Sequence, residues 1–293
     1  MKPPRFAYSD PKTRGEVLDL LEDYGDEAKI LAGGQSLVPL LNMRLAQPTQ
    51  LIDINHLTDL AYIREVDGGL AIGALTRQRE VERSPLVRQR CPLLARAVPW
   101  IGHAPIRSRG TIGGSLTHAD PAAELPAVLQ ALGGFIRVES QTGSRMIPAE
   151  EFFISQLQTS ITSQELVIEA WFPVAPARSG TAFIEVSRRH GDYALVGVAA
   201  QLTTDESDTI LEAHLALMGV GETPVRLSEA EASLVGERPS EALFNAVADL
   251  SMSELEPDAD LHASGEYRRF VAGVLVNRAL RLAVDSANQE GKI

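Results

Sequence analysis

The sequence predicts an α+β protein with two domains, and three observations lead to this prediction. Helical and strand patterns alternate around a β-α-β unit in the first half, whereas the second half has a strand meander followed by helices. Between them, Pro173–Gly180 is rich in proline, glycine and serine. The length of 293 residues also exceeds that of a typical single domain. We therefore expect one domain over residues 1–175 and a second over residues 178–288.

The N-terminal segments predict the β-α-β unit. Thr13–Glu16 fits a capping box, so a helix should begin there, and Gly25 should end it. The stretch AKILAGG predicts a short strand that runs into a glycine pair. Ser36 is expected to cap a second helix through Leu40 and Leu41, and QLIDI is expected to form the next strand.

The middle of the chain predicts a hairpin, helices and a second glycine loop. LAYIREVDGGLAIGAL should turn at Asp67–Gly69, and TRQREV should begin a helix. The second glycine loop lies within Arg107–Gly134, where Asp120 and Pro121 suit the cap and first turn of the following helix. FIRVES, SRMIPA and ELVIEAWF read as strands.

The C-terminal part predicts a strand meander and three helices. TAFIEVSRR, YALVGVAAQL and ILEAHLALMGV have the composition of successive strands. Helices are expected from Glu229 and from Glu241, and a long helix is expected after Ser264.

Composition narrows the possible functions. The formal net charge of −12 gives no support for binding a nucleic acid backbone. No apolar run reaches the roughly 20 residues of a membrane span, and the N-terminus has no signal-peptide core, so we expect a cytoplasmic protein. The single cysteine, Cys91, cannot build an iron–sulfur cluster, and the histidines lack metal-ligand spacing, so no metal is assigned.

The two glycine loops admit two interpretations. Each loop alone could be a tight turn that requires a positive φ. However, Gly33-Gly34 and Gly113-Gly114 are each followed within three residues by serine and leucine. This repeated design favours two loops that clasp one pyrophosphate through backbone N–H groups, which an acidic protein can do without formal positive charge.

Four stretches carry a resemblance to a known family. They are AGGQSLVPLLNMRLAQPTQLIDIN, RGTIGGSLTHADPAAELP, RRHGDYALVGVAAQL and HASGEYRRFVAGVLVNRAL, and they span nearly the whole chain in order. They resemble the FAD-binding medium subunits of the molybdenum hydroxylases, with aerobic carbon monoxide dehydrogenase as the nearest type. The resemblance implies a vanillyl-alcohol-oxidase-type (PCMH-like) FAD-binding domain of two α+β subdomains over 1–175. A smaller CO dehydrogenase flavoprotein C-terminal domain over 178–288 should close over the flavin.

The resemblance also implies a set of FAD-binding residues. The first pyrophosphate loop corresponds to Ala32, Gly33, Gly34, Gln35, Ser36 and Leu37, and the second to Thr111, Ile112, Gly113, Gly114 and Ser115. The positive end of the helix that follows the first loop is expected to add attraction for the diphosphate. Glu124 corresponds to a carboxylate near the ribityl or flavin portion, Tyr193 to a residue beside the isoalloxazine ring, and Asp120 and Leu166 complete the set. Gln35 and Ser115 depart from the usual histidine and asparagine, but both keep a hydrogen-bonding side chain.

Several of these residues also have plain structural interpretations. Asp120 could serve only as a helix cap, and Tyr193 could be a core tyrosine at the start of a strand. Arg107 and Arg109 flank the second loop and could neutralise phosphate, although arginines before a turn are most often ion-paired or at the surface. Asp53 could simply bind backbone groups in its own turn.

The implied function is electron transfer within a larger complex. In the family, a substrate leaves electrons at a molybdenum cofactor on a large subunit, and [2Fe-2S] clusters on a small subunit relay them to FAD. The flavin then reduces NAD, oxygen, a quinone or another external acceptor, and the assembly is expected to be a dimer of heterotrimers. Two alternatives remain: a self-contained flavoenzyme of the same fold, and a non-catalytic module that binds a phosphorylated ligand.

Overall fold

The computed structural model describes residues 2–290, so the first residue of the predicted N-terminal domain lies outside it. The chain begins with a small parallel sheet, as the β-α-β prediction requires. Its elements are β1 (Ala7–Ser9), α1 (Arg14–Tyr24), β2 (Ala28–Leu31), α2 (Leu37–Asn42) and β3 (Gln50–Asp53). The strand order is β1-β3-β2, and β3 pairs in parallel with both neighbours. Thr13 caps α1 by accepting a hydrogen bond from Glu16, and Gly25, at φ +47°, ends the helix as predicted.

The next segment contains the predicted hairpin and a series of short helices. These elements are β4 (Ile63–Val66), β5 (Gly69–Gly73), α3 (Gln78–Arg83), α4 (Pro85–Arg90), α5 (Pro92–Ala97), α6 (Ala104–Arg107), α7 (Ile112–His118) and α8 (Glu124–Leu132). Val66 pairs with Gly69, so the hairpin turns at Asp67 and Gly68, and Gly68 takes a φ of +72° that favours glycine.

An antiparallel sheet of five strands completes the first half. The remaining elements are β6 (Phe135–Ser140), β7 (Gly143–Pro148), α9 (Ala149–Phe152), β8 (Phe153–Ser155), β9 (Gln158–Thr159) and β10 (Leu166–Pro173). The sheet order is β4-β5-β10-β6-β7, with β8 and β9 as a separate pair. Glu169 of β10 is only 2% exposed, but its carboxylate accepts hydrogen bonds from Tyr62 (2.6 Å) and Arg64 (2.9 Å).

The second half forms a four-stranded antiparallel meander covered on both faces. Its elements are β11 (Ser179–Ser187), β12 (Ala194–Thr204), β13 (Ile210–Met218), β14 (Val225–Arg226), α10 (Ser228–Leu234), α11 (Glu241–Ser253) and α12 (Gly265–Glu290). Helix α12 packs on β11 and β12, whereas α5 and α8 of the first half pack on the same sheet. One hydrophobic core therefore runs from α8 into this sheet and includes Phe183, Ala199 and Met218.

Three local predictions are wrong. Asp120 does not cap a helix, because α8 begins at Glu124 and Asp120 Oδ1 instead accepts a hydrogen bond from the Ala122 N–H (2.9 Å) in a turn. The second glycine pair lies in the first turn of α7 rather than in a loop, because Thr111 caps that helix. Ser36 precedes α2 without capping it, since its own backbone (φ −103°, ψ −48°) is already helical.

The turn at Asp120 and Pro121 has a tertiary cause. Ala119 ends α7 in the left-handed region at φ +50°, so the chain must reverse before α8 can begin. The Pro121 carbonyl then accepts a hydrogen bond from the Gly219 N–H (2.8 Å) at the end of β13. The C-terminal sheet thus holds this turn in place. No helix within residues 2–290 is long and apolar enough to cross a membrane.

Gly180 provides a test of how tightly β11 packs on α12. A Cβ atom at Gly180 would overlap the backbone of Ala283 and Ala287, so Gly180→Ala should lower the free energy of unfolding by about 1–3 kcal/mol. Gly15→Ala is the control, because the nearest atom there is 4.0 Å away and alanine favours a helix over glycine by about 0.5–1 kcal/mol. Urea denaturation measures both changes. Equal stability of the two variants would contradict this packing.

Candidate cofactor-binding site

A cavity of about 730 Å³ lies between the small parallel sheet, helices α6–α8 and the β11–β12 connection. Such a volume is within the usual range for cofactor pockets. Fourteen of the fifteen predicted FAD-binding residues line it: Ala32, Gly33, Gly34, Gln35, Ser36, Leu37, Thr111, Gly113, Gly114, Ser115, Asp120, Glu124, Leu166 and Tyr193. Ile112 is the exception, because its side chain is fully buried in the hydrophobic core. Folding therefore brings together residues from four distant segments.

The first glycine segment presents a row of free backbone N–H groups to this cavity. Within residues 2–290, none of the five N–H groups of Gly33–Leu37 donates a hydrogen bond to the protein. Their carbonyls are engaged instead: Gly33 O accepts from the Gln35 side chain (3.0 Å) and Gly34 O from Val38 N (3.2 Å). Consecutive free N–H groups form a concave site that suits an anion. Helix α2 has only six residues, so its dipole adds little to the attraction that the sequence predicts.

The second glycine segment differs from the first, because its N–H groups are already used. Gly113 N donates to Ala74 O (2.9 Å), Gly114 N to Thr111 Oγ1 (3.1 Å) and Ser115 N to Thr111 O (3.1 Å). The prediction that both loops offer equivalent N–H groups is therefore wrong. What this segment presents to the cavity is its helical surface and the side chain of Ser115.

Gly33 and Gly113 leave no room for a side chain, because other parts of the protein pack against their Cα atoms. A Cβ atom at Gly33 would overlap the Arg109 carbonyl oxygen, and one at Gly113 would lie 2.6 Å from Ala74 Cβ. Gly34 has a different reason, since its φ of +70° lies in the left-handed region. Valine at Gly33 or Gly113 would therefore disturb the fold as well as any ligand. Such variants cannot test ligand binding cleanly.

A polar network fixes the two glycine segments against each other. Asn55 donates from Nδ2 to Ala32 O (2.9 Å), and Arg77 donates to Asn55 Oδ1 (2.7 Å) and to Arg109 O (2.7 Å). Asp53 Oδ1 accepts from the Asn55 N–H (2.9 Å), which confirms its predicted role in the turn. These bonds link the end of β2 to the segment before α7.

The guanidinium group of Arg107 is bonded to other groups of the protein. It is 8% exposed, forms a two-pronged ion pair with Glu82 (2.9 and 3.0 Å), and donates to the carbonyls of Ile101 and Gly102. Arg107 thus braces the loop before α6 instead of facing a phosphate. The structural interpretation of this arginine is confirmed.

Two acidic groups, Asp120 and Glu124, and one tyrosine, Tyr193, also line the cavity. Burial, together with the nearby charge of Asp120, raises the pKa of Glu124 to about 7. Tyr193 lies on the β11–β12 connection and is 63% exposed, so it is not a core residue. Partial burial raises the pKa of Tyr193, and the charges of Asp120 and Glu124 raise it further.

Aromatic contacts hold the β11–β12 connection over the cavity. The ring of His190 makes edge contacts with Trp100 and His103, each with ring centres 6.1 Å apart. Gly191 lies so close to the His103 ring that a Cβ atom there would overlap it. Tyr193 is therefore carried by a loop that is docked on the first half of the chain.

Gln78 is a cavity residue that the sequence analysis missed. It is 4% exposed, and its Oε1 atom is buried with no hydrogen-bond partner in the described part of the chain. Its backbone N–H donates to Gly110 O (2.9 Å), which places it behind the two glycine segments. A glutamine at the start of a short helix gives no sequence signal of this kind. The five free N–H groups in a cavity of this size fit a large polar ligand such as FAD.

Comparisons with known proteins identify the family. Residues 4–175 match the model of the FAD binding domain in molybdopterin dehydrogenase, and residues 181–283 match the CO dehydrogenase flavoprotein C-terminal domain. The chain is 45% identical to the 6-hydroxypseudooxynicotine dehydrogenase complex subunit alpha of Paenarthrobacter nicotinovorans, covering 98% of this chain and 97% of that one. It is 36% identical to the carbon monoxide dehydrogenase medium chain of Hydrogenophaga pseudoflava, with 97% and 98% covered.

A solved structure agrees with these relatives. Carbon monoxide dehydrogenase from Hydrogenophaga pseudoflava, in a form that lacks the Mo-pyranopterin moiety of its molybdenum cofactor, superposes with a TM-score of 0.94 at 38% identity. The match covers 98% of this chain and 99% of that chain. The vanillyl-alcohol-oxidase-type fold expected from the sequence is thereby confirmed. The chain belongs to the family of FAD-binding medium subunits of the molybdenum hydroxylases.

Proposed function

We propose that the chain is the FAD-carrying electron-transfer subunit of a three-subunit molybdenum hydroxylase. The observation that carries the proposal is the row of five free N–H groups at Gly33–Leu37, which opens into a cavity of about 730 Å³. Because the chain belongs to the medium-subunit family, FAD is the ligand that we expect in this cavity. The division into a FAD-binding part over 1–175 and a closing part over 178–288 belongs to the same proposal. It is supported by the change of sheet between β10 and β11.

Each part of the cavity has a role in this proposal. The N–H groups of Gly33–Leu37 hold the diphosphate, and Ser36 and Ser115 add hydroxyl groups. Glu124 and Asp120 face the ribityl or ring portion, Leu166 supplies an apolar wall, and Tyr193 covers the ring. Bound FAD supplies chemistry that accepts and releases two electrons. The chain's own residues bind it, orient it and limit the access of water.

The chain depends on partners for its electrons. Cys91 is 1% exposed, and burial raises the pKa of its thiol to about 12, so it offers no thiolate to a cluster. We therefore assign the [2Fe-2S] clusters to a small subunit and the molybdenum cofactor to a large one. Electrons pass through this chain to an external acceptor, which is NAD, oxygen, a quinone or another oxidant. A cytoplasmic location is part of the same proposal.

The substrate is assigned to another subunit. The names of the two relatives specify chemically unrelated substrates, carbon monoxide and 6-hydroxypseudooxynicotine, although both chains align with this one from end to end. A shared medium subunit across unrelated substrates indicates that the medium subunit does not select the substrate.

Ser36→Asp tests the diphosphate site. The Ser36 side chain makes no cap hydrogen bond to α2, so the fold should tolerate aspartate there, but its charge should repel the diphosphate. We expect FAD content to fall at least tenfold, measured by absorption of the purified chain. Ser84→Asp is the matched control, because Ser84 caps α4 and does not line the cavity. Full FAD content in the Ser36→Asp chain would contradict the assignment.

Tyr193→Ala tests the position of the flavin ring. If Tyr193 covers the ring, its removal should change the flavin midpoint potential or the rate of reoxidation by oxygen, while FAD content stays largely intact. Tyr267→Ala is the control, since Tyr267 is 44% exposed on α12 and outside the cavity. The proposal for Tyr193 fails if both quantities match those of the unmodified chain.

Purification of the complex tests the partner assignment. The isolated chain should contain FAD but no stoichiometric iron or molybdenum, and it should oxidise no organic substrate. Co-purification from the native host should yield a dimer of heterotrimers that contains both metals and turns over substrate. Substrate turnover by the isolated chain would instead favour a self-contained flavoenzyme. A colourless chain would favour a module that binds another phosphorylated ligand.

A further inference from the structure

Glu185 is a buried carboxyl group without a partner. It lies on β11, is 9% exposed, and neither carboxyl oxygen has a hydrogen-bond partner in the described part of the chain. Burying a charged carboxylate without a partner costs free energy. Such a group is therefore either held in its neutral form or has a functional role. Glu169 shows the contrast, because that buried carboxylate is bonded by Tyr62 and Arg64.

Strand alternation places Glu185 on the face of the sheet that meets the FAD-binding half. Thr181, Phe183 and Glu185 share that face, since side chains alternate along a strand. Arg96 of α5 donates to Thr181 Oγ1 (3.0 Å), and the Phe183 ring lies 6.4 Å from the Trp100 ring. Across the ladder, Glu185 pairs with Gly197 of β12. Glu185 therefore lies at the junction between the halves, near the end of β11 that leads into the connection lining the cavity.

Glu124 is the acidic neighbour of Glu185 on the cavity side. Burial, together with the charge of Glu124, raises the pKa of Glu185 to about 8. Glu124 lines the cavity with a pKa of about 7, raised by burial and by Asp120 and lowered by Arg107. Of the other elements on this face, β12 carries no ionisable side chain, and Arg96 of α5 is bonded to Thr181 and Ser286. Strand β13 carries Glu212 and His214 farther along the sheet, where His214 contacts Glu212 and Arg226. The two glutamates thus titrate as a coupled pair close to neutral pH.

We propose that Glu124 and Glu185 form a proton-accepting pair that takes up one proton when two electrons reach the FAD site. The proposal rests on the proposed function, which brings electrons without protons from [2Fe-2S] clusters. Bound FAD would take up two electrons and one proton, and the negative charge that remains would draw a second proton from solvent onto whichever glutamate is ionised. On reoxidation the glutamate would lose its proton to solvent, and the other proton would leave with the two electrons as hydride or pass to the reduced acceptor.

The pKa values of the two carboxyl groups set the pH range in which the pair can accept a proton. Below about pH 7 both are already protonated and can accept nothing. Near pH 7–8 Glu124 is the acceptor, and above about pH 8 Glu185 takes over. Each extra proton per two electrons makes reduction tenfold less favourable per pH unit, which is about 30 mV. The midpoint potential should therefore fall more steeply with pH in this window than it does without the pair.

The test measures the flavin midpoint potential of the FAD-loaded chain between about pH 6 and about pH 9 by dye-equilibrated titration. In Glu185→Gln the steeper slope should disappear above about pH 8, and in the Glu124→Gln/Glu185→Gln double variant it should disappear throughout. Glu185→Asp keeps a carboxyl group and should therefore keep the steeper slope of the unmodified chain. Glu169→Gln is the control for loss of a buried carboxylate and should leave the slope unchanged.

The outcomes separate the two proposals. A yellow Glu185→Gln chain whose potential follows the unmodified chain at every pH would overturn the proton-accepting pair and leave the FAD assignment standing. A colourless unmodified chain would overturn the proposed function itself. If Glu185→Gln fails to retain FAD, Glu124→Gln decides, because loss of the steeper slope between about pH 7 and about pH 8 supports the pair and an unchanged slope opposes it.

Discussion

The close contact between Gly33 and the Arg109–Gly110 backbone is the constraint on which the cavity depends. Only a residue without a side chain can lie there, because a Cβ atom would overlap the Arg109 carbonyl oxygen. Asn55 and Arg77 then bond the two segments through Ala32 O and Arg109 O. With its carbonyls so engaged, the first segment turns its N–H groups outward into the cavity. A ligand site thus arises from packing within the protein.

The C-terminal half completes the site through two connections. Its sheet packs on α5 and α8, and the shared hydrophobic core leaves little freedom between the halves. The Gly219 N–H holds the Pro121 carbonyl, which fixes the turn that carries Asp120. On the other side of the cavity, His190 and Gly191 rest on Trp100 and His103 and carry Tyr193. Both connections join residues that are roughly a hundred positions apart in the sequence.

The electrostatics of the cavity are uneven. The free N–H groups of Gly33–Leu37 favour an anion, whereas Asp120 and Glu124 add acidic groups to the lining and the buried Glu185 interacts with the charge of Glu124. This division suits a cofactor with a diphosphate at one end and a redox-active ring at the other. The acidic end makes the charge of the site depend on pH close to neutrality, which links the potential of the ring to the proton content of the protein.

Local patterns determined much of this protein by themselves. Hydrophobic periodicity and turn residues predicted the parallel β-α-β unit, the hairpin at Asp67–Gly68 and the C-terminal meander, because such elements depend on neighbouring residues. The repeated glycine motifs and the resemblance they carry led to fourteen of the residues that line the cavity.

Only the tertiary structure decided how those residues are used. It placed Asp120 in a turn and the second glycine pair in a helix. It also showed that Gly33 has no room for a side chain because the Arg109 backbone lies against it. It also revealed Gln78 and Glu185, which stand out because buried oxygen atoms of their side chains have no hydrogen-bond partner in the described part of the chain. The physical reason is that burial, hydrogen-bond satisfaction and close backbone contact depend on segments distant in sequence, so no local pattern records them.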